Sequence, residues 1–281
     1  MTSESRIFKQ VDVFSSAPFM GNPVAVIFEA DNLTSEQMQN IARWTNLSET
    51  TFLQKPINNK ADYKVRIFTP NGELPFAGHP TLGTAHAWSE NGGVSQDKDF
   101  LFQECEAGLI KIKKNNGKLY FEAPPTKRTG EIESEYLEQI VDSFGIKRSE
   151  VLSSQWVDNG PGWAVVQLES ADNVLQLRPD LSKIPNAMVG AIGNYPSDSK
   201  FKYEMRTFAP AAGVSEDPVC GSMNASVAQW LHLNGETQGS YSVSQGSVIG
   251  RAGEIDILID ENGAIWVGGK TTTLFDGTAN F

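Results

Sequence analysis

The chain has 281 residues, of which 40% are hydrophobic, with 25 glycines and 14 prolines. This composition is ordinary for a globular protein with many turns and argues against disorder. The formal net charge of −11 argues against nucleic acid or an anionic membrane as the main partner, because both need a basic surface. The length accommodates two domains of about 140 residues.

Nothing in the sequence resembles a targeting or membrane-spanning segment. The N-terminal region lacks the long apolar stretch of a signal peptide, and no run of residues approaches a membrane span. The two cysteines, Cys105 and Cys220, fall in different halves and different contexts, which favours reduced thiols over a disulfide. We therefore expect a soluble, cytoplasmic protein.

The first half of the chain predicts several strands and two helices. Alternating or short apolar runs predict strands or extended segments over 6–14, 24–28, 47–53, 63–70 and 100–124, the last a meander with an Asn-Asn-Gly turn. Thr34 and Gln37 form a capping box for a helix that ends at Thr45–Asn46. Pro80, at a first helical position, predicts a second helix with His79 as its N-cap.

The second half repeats these kinds of element after a linker. The Pro-rich, charged segment 124–135 is the predicted linker. The patterns beyond it predict a helix over 135–146, strands over 163–170 and 201–210, a helix over 222–235 and a hairpin over 254–269. Strands predominate without a regular βαβ rhythm, so the sequence predicts an α+β protein of two sheet-rich domains.

The chain contains an internal repeat. Segments 66–92 and 206–235 share Arg, Phe and Pro at an offset of 140, then Pro, Gly, Ala, Asn and Gly at an offset of 143. A weaker similarity relates 25–33 to 164–174. Two related halves imply two similar domains about a pseudo-twofold axis, with the matched loop-to-helix turns at one cleft that would take a small molecule.

Each repeated turn places a glycine, Gly78 or Gly221, at the start of a helix. Backbone amides and the positive end of the helix dipole there favour a carboxylate or an oxyanion. The alternative is that both glycines only satisfy a backbone angle. Because a polar residue follows each glycine, His79 in one copy and Ser222 in the other, we favour anion binding.

Three side chains near these turns are candidates for proton transfer: Glu49, His79 and Asp217. His79 could exchange a proton near neutral pH, or could only cap its helix. Asp217 follows Glu216, and crowded carboxylates have raised pKa values, although surface carboxylates are common. Glu49 has no counterpart in the second half, which fits a specialised base or a plain helix-end residue. A metal site from His79, His86 and Asp217 has no recognised ligand spacing, so none is predicted.

Five motifs in the same order, covering nearly the whole chain, resemble the phenazine-biosynthesis PhzF-like isomerase family: FSSAPFMGNPVAVIF, NLSETTFL, RIFTPNGELPFAGHPTLGTAHA, APAAGVSEDPVCGS and SQGSVIGRAGEI. The resemblance implies the diaminopimelate-epimerase fold, in which each of two pseudo-symmetric domains is a β-barrel-like sheet around a central helix. We place these domains at 1–125 and 126–269, and residues 270–281 could pack back on the first. The resemblance also implies a homodimer that works without a metal or an organic cofactor.

The family's motifs assign roles to matching positions. By this resemblance Glu49 is the general base and acid, with His79 and Asp217 as its catalytic partners. The residues implied to surround the substrate are Ser48, Gly78, Gly221 and Ser222.

One position departs from these relatives. Diaminopimelate epimerase uses one cysteine from each half, whereas this chain has Ala77 and Cys220, and the phenazine enzyme resembles Thr at the second position. A single thiol cannot supply two opposed bases, so we interpret Cys220 as a packing residue, with a relic or a second proton carrier as alternatives.

The sequence thus predicts a cofactor-independent isomerase of a small carboxylated metabolite. Two alternatives stay open. One is an epimerase or racemase that uses Glu49 and Cys220 as opposed bases. The other is a catalytically silent binding protein of the same fold.

Overall fold

Two units make up the chain. The computed structural model describes residues 4–281. Unit 1 contains the chain up to Glu122 together with Gly268–Phe281, and unit 2 contains Ala123–Val267. Unit 1 is therefore discontinuous in sequence, because its last segment follows the whole of unit 2.

The strands are β1 Ser5–Val13, β2 Asn22–Ile27, β3 Glu49–Gln54, β4 Tyr63–Phe68, β5 Glu73–Leu74, β6 Phe100–Cys105, β7 Gly108–Asn115, β8 Lys118–Glu122, β9 Arg128–Gly130, β10 Ser153–Asp158, β11 Ala164–Ser170, β12 Val189–Asn194, β13 Tyr203–Ala209, β14 Val214–Asp217, β15 Tyr241–Gln245, β16 Gly253–Ile259, β17 Ile265–Gly269 and β18 Thr271–Asn280. The α-helices are α1 Ser35–Thr45, α2 Gly78–Glu90, α3 Ser134–Phe144, α4 Ala171–Gln176 and α5 Gly221–Leu233. Short 3₁₀ turns cover Arg148–Glu150, Leu181–Lys183, Pro210–Ala212 and Ser247–Ile249.

The two units have the same strand connectivity. In unit 1, β18, β1 and β2 are antiparallel, β2 and β3 are parallel, β3 and β4 antiparallel, β4 and β6 parallel, and β6 and β7 antiparallel. In unit 2, the same sequence of pairings runs through β9, β10, β11, β12, β13, β15 and β16. This common order is the structural form of the repeat seen in the sequence.

Each unit holds one helix that is buried on nearly all sides. Every residue of α2 from Gly78 to Ala85 is buried, and α2 contacts strands β1, β2, β3, β6, β8 and β18 of its own unit. Such all-round burial marks a helix inside the sheet rather than on its surface. At Gly83 an added Cβ would lie 2.3 Å from Val24, so this close approach of helix and strand requires glycine.

Outer helices cover the remaining apolar faces. α1 packs Met38 and Ala42 against Phe52 and other buried residues of unit 1. Its predicted capping box is confirmed, since Thr34 and Gln37 exchange side-chain-to-backbone hydrogen bonds. In unit 2, α3 contributes to a larger cluster that includes Phe144. These cores fix the sheets from which the candidate site residues extend.

Three predicted boundaries are wrong. α2 begins at Gly78 with Ala77 as its N-cap, so His79 is inside the first turn and does not cap it. α5 begins at Gly221, with Cys220 as its N-cap, and not at residue 222. Pro80 did not mark the first residue of α2, because proline is tolerated in a first turn whose N–H groups have no intrahelical partner. The predicted linker 124–135 contains β9, which pairs with β10.

Across residues 4–281, the structure contains no helix that has both the length and the apolar character needed to cross a membrane.

Candidate active site

In unit 1 the structure brings Glu49 and His79 together. Glu49 is the first residue of β3, and the parallel pairing of β2 with β3 sets it opposite Val24, next to Pro23. His79 lies in the first turn of the buried helix α2. Glu49 Oε2 and His79 Nε2 are 3.2 Å apart, and both side chains are largely buried. The two elements of unit 1 that carry the predicted base and its partner therefore meet at this contact, which we call the Glu49 site.

The tautomer of His79 follows from its contacts. The ring hydrogen-bonds the backbone of Pro23, and proline has no N–H, so the ring donates to the carbonyl. Nε2 faces Glu49 and makes no other hydrogen bond in the described chain, which leaves Nδ1 as the donor. In neutral His79, Nε2 then presents a lone pair towards the Glu49 carboxyl group.

His79 stays neutral at physiological pH. Burial lowers the pKa of His79 to about 3, and the hydrogen bond to Pro23 opposes this only in part. A lone pair and a carboxyl oxygen attract each other only when a proton lies between them. His79 is therefore suited to accept a hydrogen bond from Glu49 once Glu49 carries a proton, without taking the proton itself.

The other predicted residues of unit 1 flank this pair. Ser48 is half-buried in the bend before β3, and Gly78 is the first residue of α2. The first intrahelical hydrogen bond of α2 runs from Thr81 N to Ala77 O, so the N–H groups of Gly78 and His79 precede it. Such N–H groups at a helix start are suited to a carboxylate or an oxyanion.

In unit 2 the predicted residues form a second group, the Asp217 site. Asp217 ends β14, and its Oδ1 accepts a hydrogen bond from Val219 N at 3.1 Å. Burial raises the pKa of Asp217 to about 6, and hydrogen bonds from Val219 and Cys220 oppose the rise. Asp217 is thus a carboxylate that titrates closer to neutral pH than usual.

The cause of this raised pKa differs from the predicted one. We expected crowding by Glu216, but Glu216 forms a bidentate ion pair with Arg206, at 2.8 and 2.9 Å. Burial alone is the cause that raises the pKa of Asp217.

Cys220 and Ser222 lie beside Asp217 at the start of α5. The Cys220 thiol is 3.5 Å from Ser222 Oγ and hydrogen-bonds the Asp217 side chain. Burial, followed by the charge of Asp217, raises the pKa of the Cys220 thiol well above its usual range. Cys220 is therefore a protonated thiol with polar contacts, and not only the packing residue that we predicted.

Sequence reasoning missed three residues that hold these groups. Trp163 Nε1 donates to Ser222 Oγ at 3.0 Å, and Asn159 Nδ2 donates to the Ser222 carbonyl at 3.0 Å. Gln245 accepts from Cys220 N at 3.2 Å and donates to the Asp217 carbonyl at 3.0 Å. Gln245 lies within the SQGSVIGRAGEI motif, which could have indicated it. Trp163, at the start of a strand, gave no comparable signal.

Other solved structures have the same fold. A hydroxyproline epimerase from Agrobacterium vitis aligns over 100% of this chain and 92% of its own, with a TM-score of 0.62 and 13% identity, which shows a shared fold alone. A PhzF-family protein from Enterococcus faecalis aligns over 98% and 99% of the two chains, with a TM-score of 0.79 and 29% identity.

Sequence comparison specifies the family. The family model for phenazine biosynthesis-like proteins, PhzC-PhzF, matches residues 11–277. The chain is 39% identical to trans-2,3-dihydro-3-hydroxyanthranilate isomerase of Pseudomonas fluorescens over 86% of each protein. It is also 39% identical, over 99% of each, to antisense-enhancing sequence 1 of Schizosaccharomyces pombe. The chain belongs to the phenazine biosynthesis-like family and is an isomerase of the PhzF type, as its motifs predicted.

Proposed function

We propose that the chain moves a proton between two carbons of a small cyclic carboxylate without a cofactor, with Glu49 as general base and then general acid. The observation that carries this proposal is the Glu49–His79 contact of 3.2 Å, in which a neutral imidazole faces the carboxyl group.

The proposed reaction is balanced within one substrate. Ionised Glu49 removes a proton from a carbon next to an unsaturated, carboxylate-conjugated system, and the electron pair of that C–H bond shifts along the conjugated carbons. Glu49 then returns the same proton to another carbon, so no oxidant or reductant is needed. His79 accepts a hydrogen bond from protonated Glu49 between the two transfers. Because its own pKa is about 3, it does not carry the proton away.

The anionic groups of the substrate have matching donors. We assign anion contacts to each unit separately: in unit 1 to the helix-start N–H group of Gly78, with Ser48 as a further contact, and in unit 2 to the N–H group of Gly221 and the Ser222 hydroxyl. In unit 2, Asp217 is a second titrating group, with a pKa raised to about 6. The activity for which the Pseudomonas fluorescens relative is named makes trans-2,3-dihydro-3-hydroxyanthranilate the first compound to test.

The experiment compares the wild-type enzyme with Glu49→Gln on that compound in deuterium oxide, followed by NMR. Glu49→Gln keeps the shape and removes the titrating group, so turnover should fall by roughly 10²–10⁴ while the fold is retained. Glu36→Gln, an exposed change on α1, is the matched control and should leave turnover unchanged. Near-normal turnover by Glu49→Gln would eliminate the assignment of the base.

The same experiment separates the two rival functions. An epimerase using Glu49 and Cys220 would invert one carbon and label that carbon, whereas the proposed shift forms a product with a moved double bond. The raised pKa of the Cys220 thiol favours the proton shift, because a thiolate would have to form at a buried site. A silent binding protein would bind the carboxylate without turnover.

We further propose a homodimer that acts in the cytoplasm, with the small carboxylate as its partner and with no metal. Light scattering of the purified protein should give twice the mass of the 30.7 kDa chain, and a monomer would contradict this.

A further inference from the structure

Trp163 brings to the Asp217 site a side chain that can donate a hydrogen bond but cannot accept one. It is buried, with 3% of its surface exposed. Its indole Nε1 lies 3.0 Å from Ser222 Oγ, and an indole N–H is a donor only. The Ser222 oxygen must therefore accept this bond, and the Ser222 hydrogen is directed to another group.

The Cys220 sulfur lies 3.5 Å from Ser222 Oγ and can accept the Ser222 hydrogen. The Cys220 thiol in turn hydrogen-bonds the Asp217 side chain. An ionised carboxylate can only accept, so the thiol donates to it. Four groups from two segments of unit 2 thus form a chain with a donor-only group at one end and an acceptor-only group at the other.

The acceptor-only end fixes the direction, because the single Cys220 hydrogen goes to Asp217 and the Ser222 hydroxyl must then donate to the sulfur. Ser222 and Cys220 can each donate or accept, so neither would set a direction on its own. With Trp163 in place, the order is Trp163 to Ser222, Ser222 to Cys220 and Cys220 to Asp217. The indole N–H holds one of the two lone pairs of the Ser222 oxygen and so fixes how the hydroxyl is turned. Without it, Ser222 could turn its hydrogen away from Cys220.

We propose that Trp163 is a positioning residue whose indole N–H orients the Ser222 hydroxyl at the start of the Ser222–Cys220–Asp217 hydrogen-bond chain. It does not touch the reacting atoms. It holds the Ser222 hydroxyl as a hydrogen-bond donor. When a carboxylate arrives, the hydroxyl can donate to the carboxylate instead of to the Cys220 sulfur, which is a weak acceptor. The consequence for activity rests on the proposed function, whereas the orientation of the Ser222 hydroxyl does not.

The test measures the hydrogen bonding of Cys220 directly, through its S–H stretching band in the infrared. A Cys105→Ala background leaves Cys220 as the one thiol. Trp163→Phe keeps an aromatic ring and removes the N–H. It should shift the Cys220 band, and so should Ser222→Ala. Trp266→Phe is the matched control, because Trp266 is also buried in unit 2 and donates to Asp260 at 3.1 Å. An S–H band that Trp163→Phe leaves where it is in the parent protein overturns the proposal.

A second measurement covers the case in which Trp163→Phe fails to fold. In ¹⁵N-labelled protein, Ser222→Ala should shift one of the six tryptophan indole signals, because Trp163 loses its acceptor. If all six signals stay in place, the proposal is wrong whatever the state of the Trp163 variant.

Steady-state kinetics then connect the hydrogen-bond chain of Trp163, Ser222, Cys220 and Asp217 to the proposed function. On a confirmed substrate, Trp163→Phe should lower kcat/KM by roughly three- to tenfold and should add little in a Ser222→Ala background. Additive losses would refute the coupling. Absence of turnover by the wild-type enzyme would contradict the proposed function and leave the infrared and NMR results to decide on Trp163.

Discussion

At the scale of single residues, burial shifts the pKa of three side chains in the two candidate sites. It lowers the pKa of His79 to about 3, raises that of Asp217 to about 6 and raises that of the Cys220 thiol well above its usual range. Each shift favours the neutral form, as expected for groups that lose contact with water. The consequence is a neutral acceptor, a carboxylate close to its titration point and a thiol that keeps its proton.

Asp217 should make the stability of the protein depend on pH. Its pKa in the fold, about 6, lies above the ordinary 3.8, so the folded state holds this proton more tightly. The stability that protonated Asp217 contributes is then lost as the pH rises from 3.8 to about 6. Asp217→Asn should stabilise the protein at neutral pH by up to about 3 kcal/mol, with no gain below pH 3.8, although it lowers activity.

Urea unfolding at several pH values measures this difference. The exposed residue Asp198 of the same unit provides the control Asp198→Asn, which should change stability little at any pH. A loss of stability on Asp217→Asn at neutral pH would contradict the burial of an ionised carboxylate.

Cys220 distinguishes the isomerase from the epimerase. Cys220→Thr supplies a hydroxyl that can accept from Ser222 and donate to Asp217, as the thiol does. Activity should therefore stay within a few-fold of the parent, with about 1–2 kcal/mol of stability lost at most. Cys220→Val has a similar volume without donor or acceptor, and should lose more activity than Cys220→Thr. Collapse of activity in the Thr variant, measured by steady-state kinetics, would indicate that the thiol is a base.

At the scale of elements, the repeat preserves an ion pair along with the helices. Arg66 contacts Glu73 at 2.6 and 2.7 Å, and Arg206 contacts Glu216 at 2.8 and 2.9 Å. Each pair joins a long strand to the short strand that leads into the buried helix, β4 to β5 and β13 to β14. These pairs therefore fix the approach of the chain to the turns of both candidate sites.

The two ion pairs should differ in their effect on stability. The Arg206 and Glu216 side chains are 3% and 10% exposed, whereas Arg66 and Glu73 are 22% and 28% exposed. Arg206→Met leaves a buried carboxylate without its partner and should cost about 3–5 kcal/mol. Arg66→Met, the matched change in unit 1, should cost about 1 kcal/mol or less. Chemical unfolding of both variants tests this, and equal losses would contradict the argument from burial.

Sequence patterns predicted most elements but not how the buried helices start. Thr34 has a capping hydroxyl, so the beginning of α1 was readable. Ala77 and Cys220 have none, and no side chain caps α2 or α5, so proline and the polar residues misled the prediction by one or two positions. The three-residue strand β9 is too short for a period-two pattern, which is why its segment resembled a linker.

The candidate site was predictable to a similar degree. The family motifs predicted Glu49 and His79 as partners, and the contact between them follows from the pairing of β2 with β3 and the position of α2. The roles of Trp163 and Asn159 depend on a loop that reaches Ser222 from about 60 residues earlier in the chain. Such contacts arise from tertiary packing, which no local pattern contains.

At the scale of the whole molecule, the duplication is visible in the bounds of the buried helices: the first and last residues of α5 each lie 143 positions after those of α2. The chain order breaks this regularity, because β18 returns to unit 1 after all of unit 2. β18 pairs with β1 along its whole length, from Ser5 opposite Asn280 to Val13 opposite Thr271. Unit 1 thus depends on a strand that is remote in sequence.

Removal of residues 271–281 should therefore disrupt unit 1. It leaves β1 with unpaired N–H and C=O groups along one edge, which favours aggregation. It also removes two side-chain contacts. The Asp276 carboxylate lies 2.8 Å from the buried Lys9 ammonium, and the Thr271 hydroxyl lies 2.9 Å from His86 Nδ1. Lys9 keeps only Glu90 as an ion-pair partner among the contacts described for it. We expect a large loss of soluble protein and, in the remaining fraction, fast amide hydrogen exchange in β1.

Asp276→Asn is the control for this truncation, because it removes one ion-pair partner of Lys9 and keeps the strand. Lys9 retains Glu90 at 2.8 Å, and Asp276 is largely exposed, so this variant should stay soluble with β1 protected from exchange. If the truncated protein matches Asp276→Asn in yield and in protection of β1, then backbone pairing with β18 is not needed for unit 1. If Asp276→Asn alone abolishes solubility, the ion pair and not the strand accounts for the effect. The difference between the two variants therefore measures what the strand itself contributes to the fold that carries Glu49 and His79.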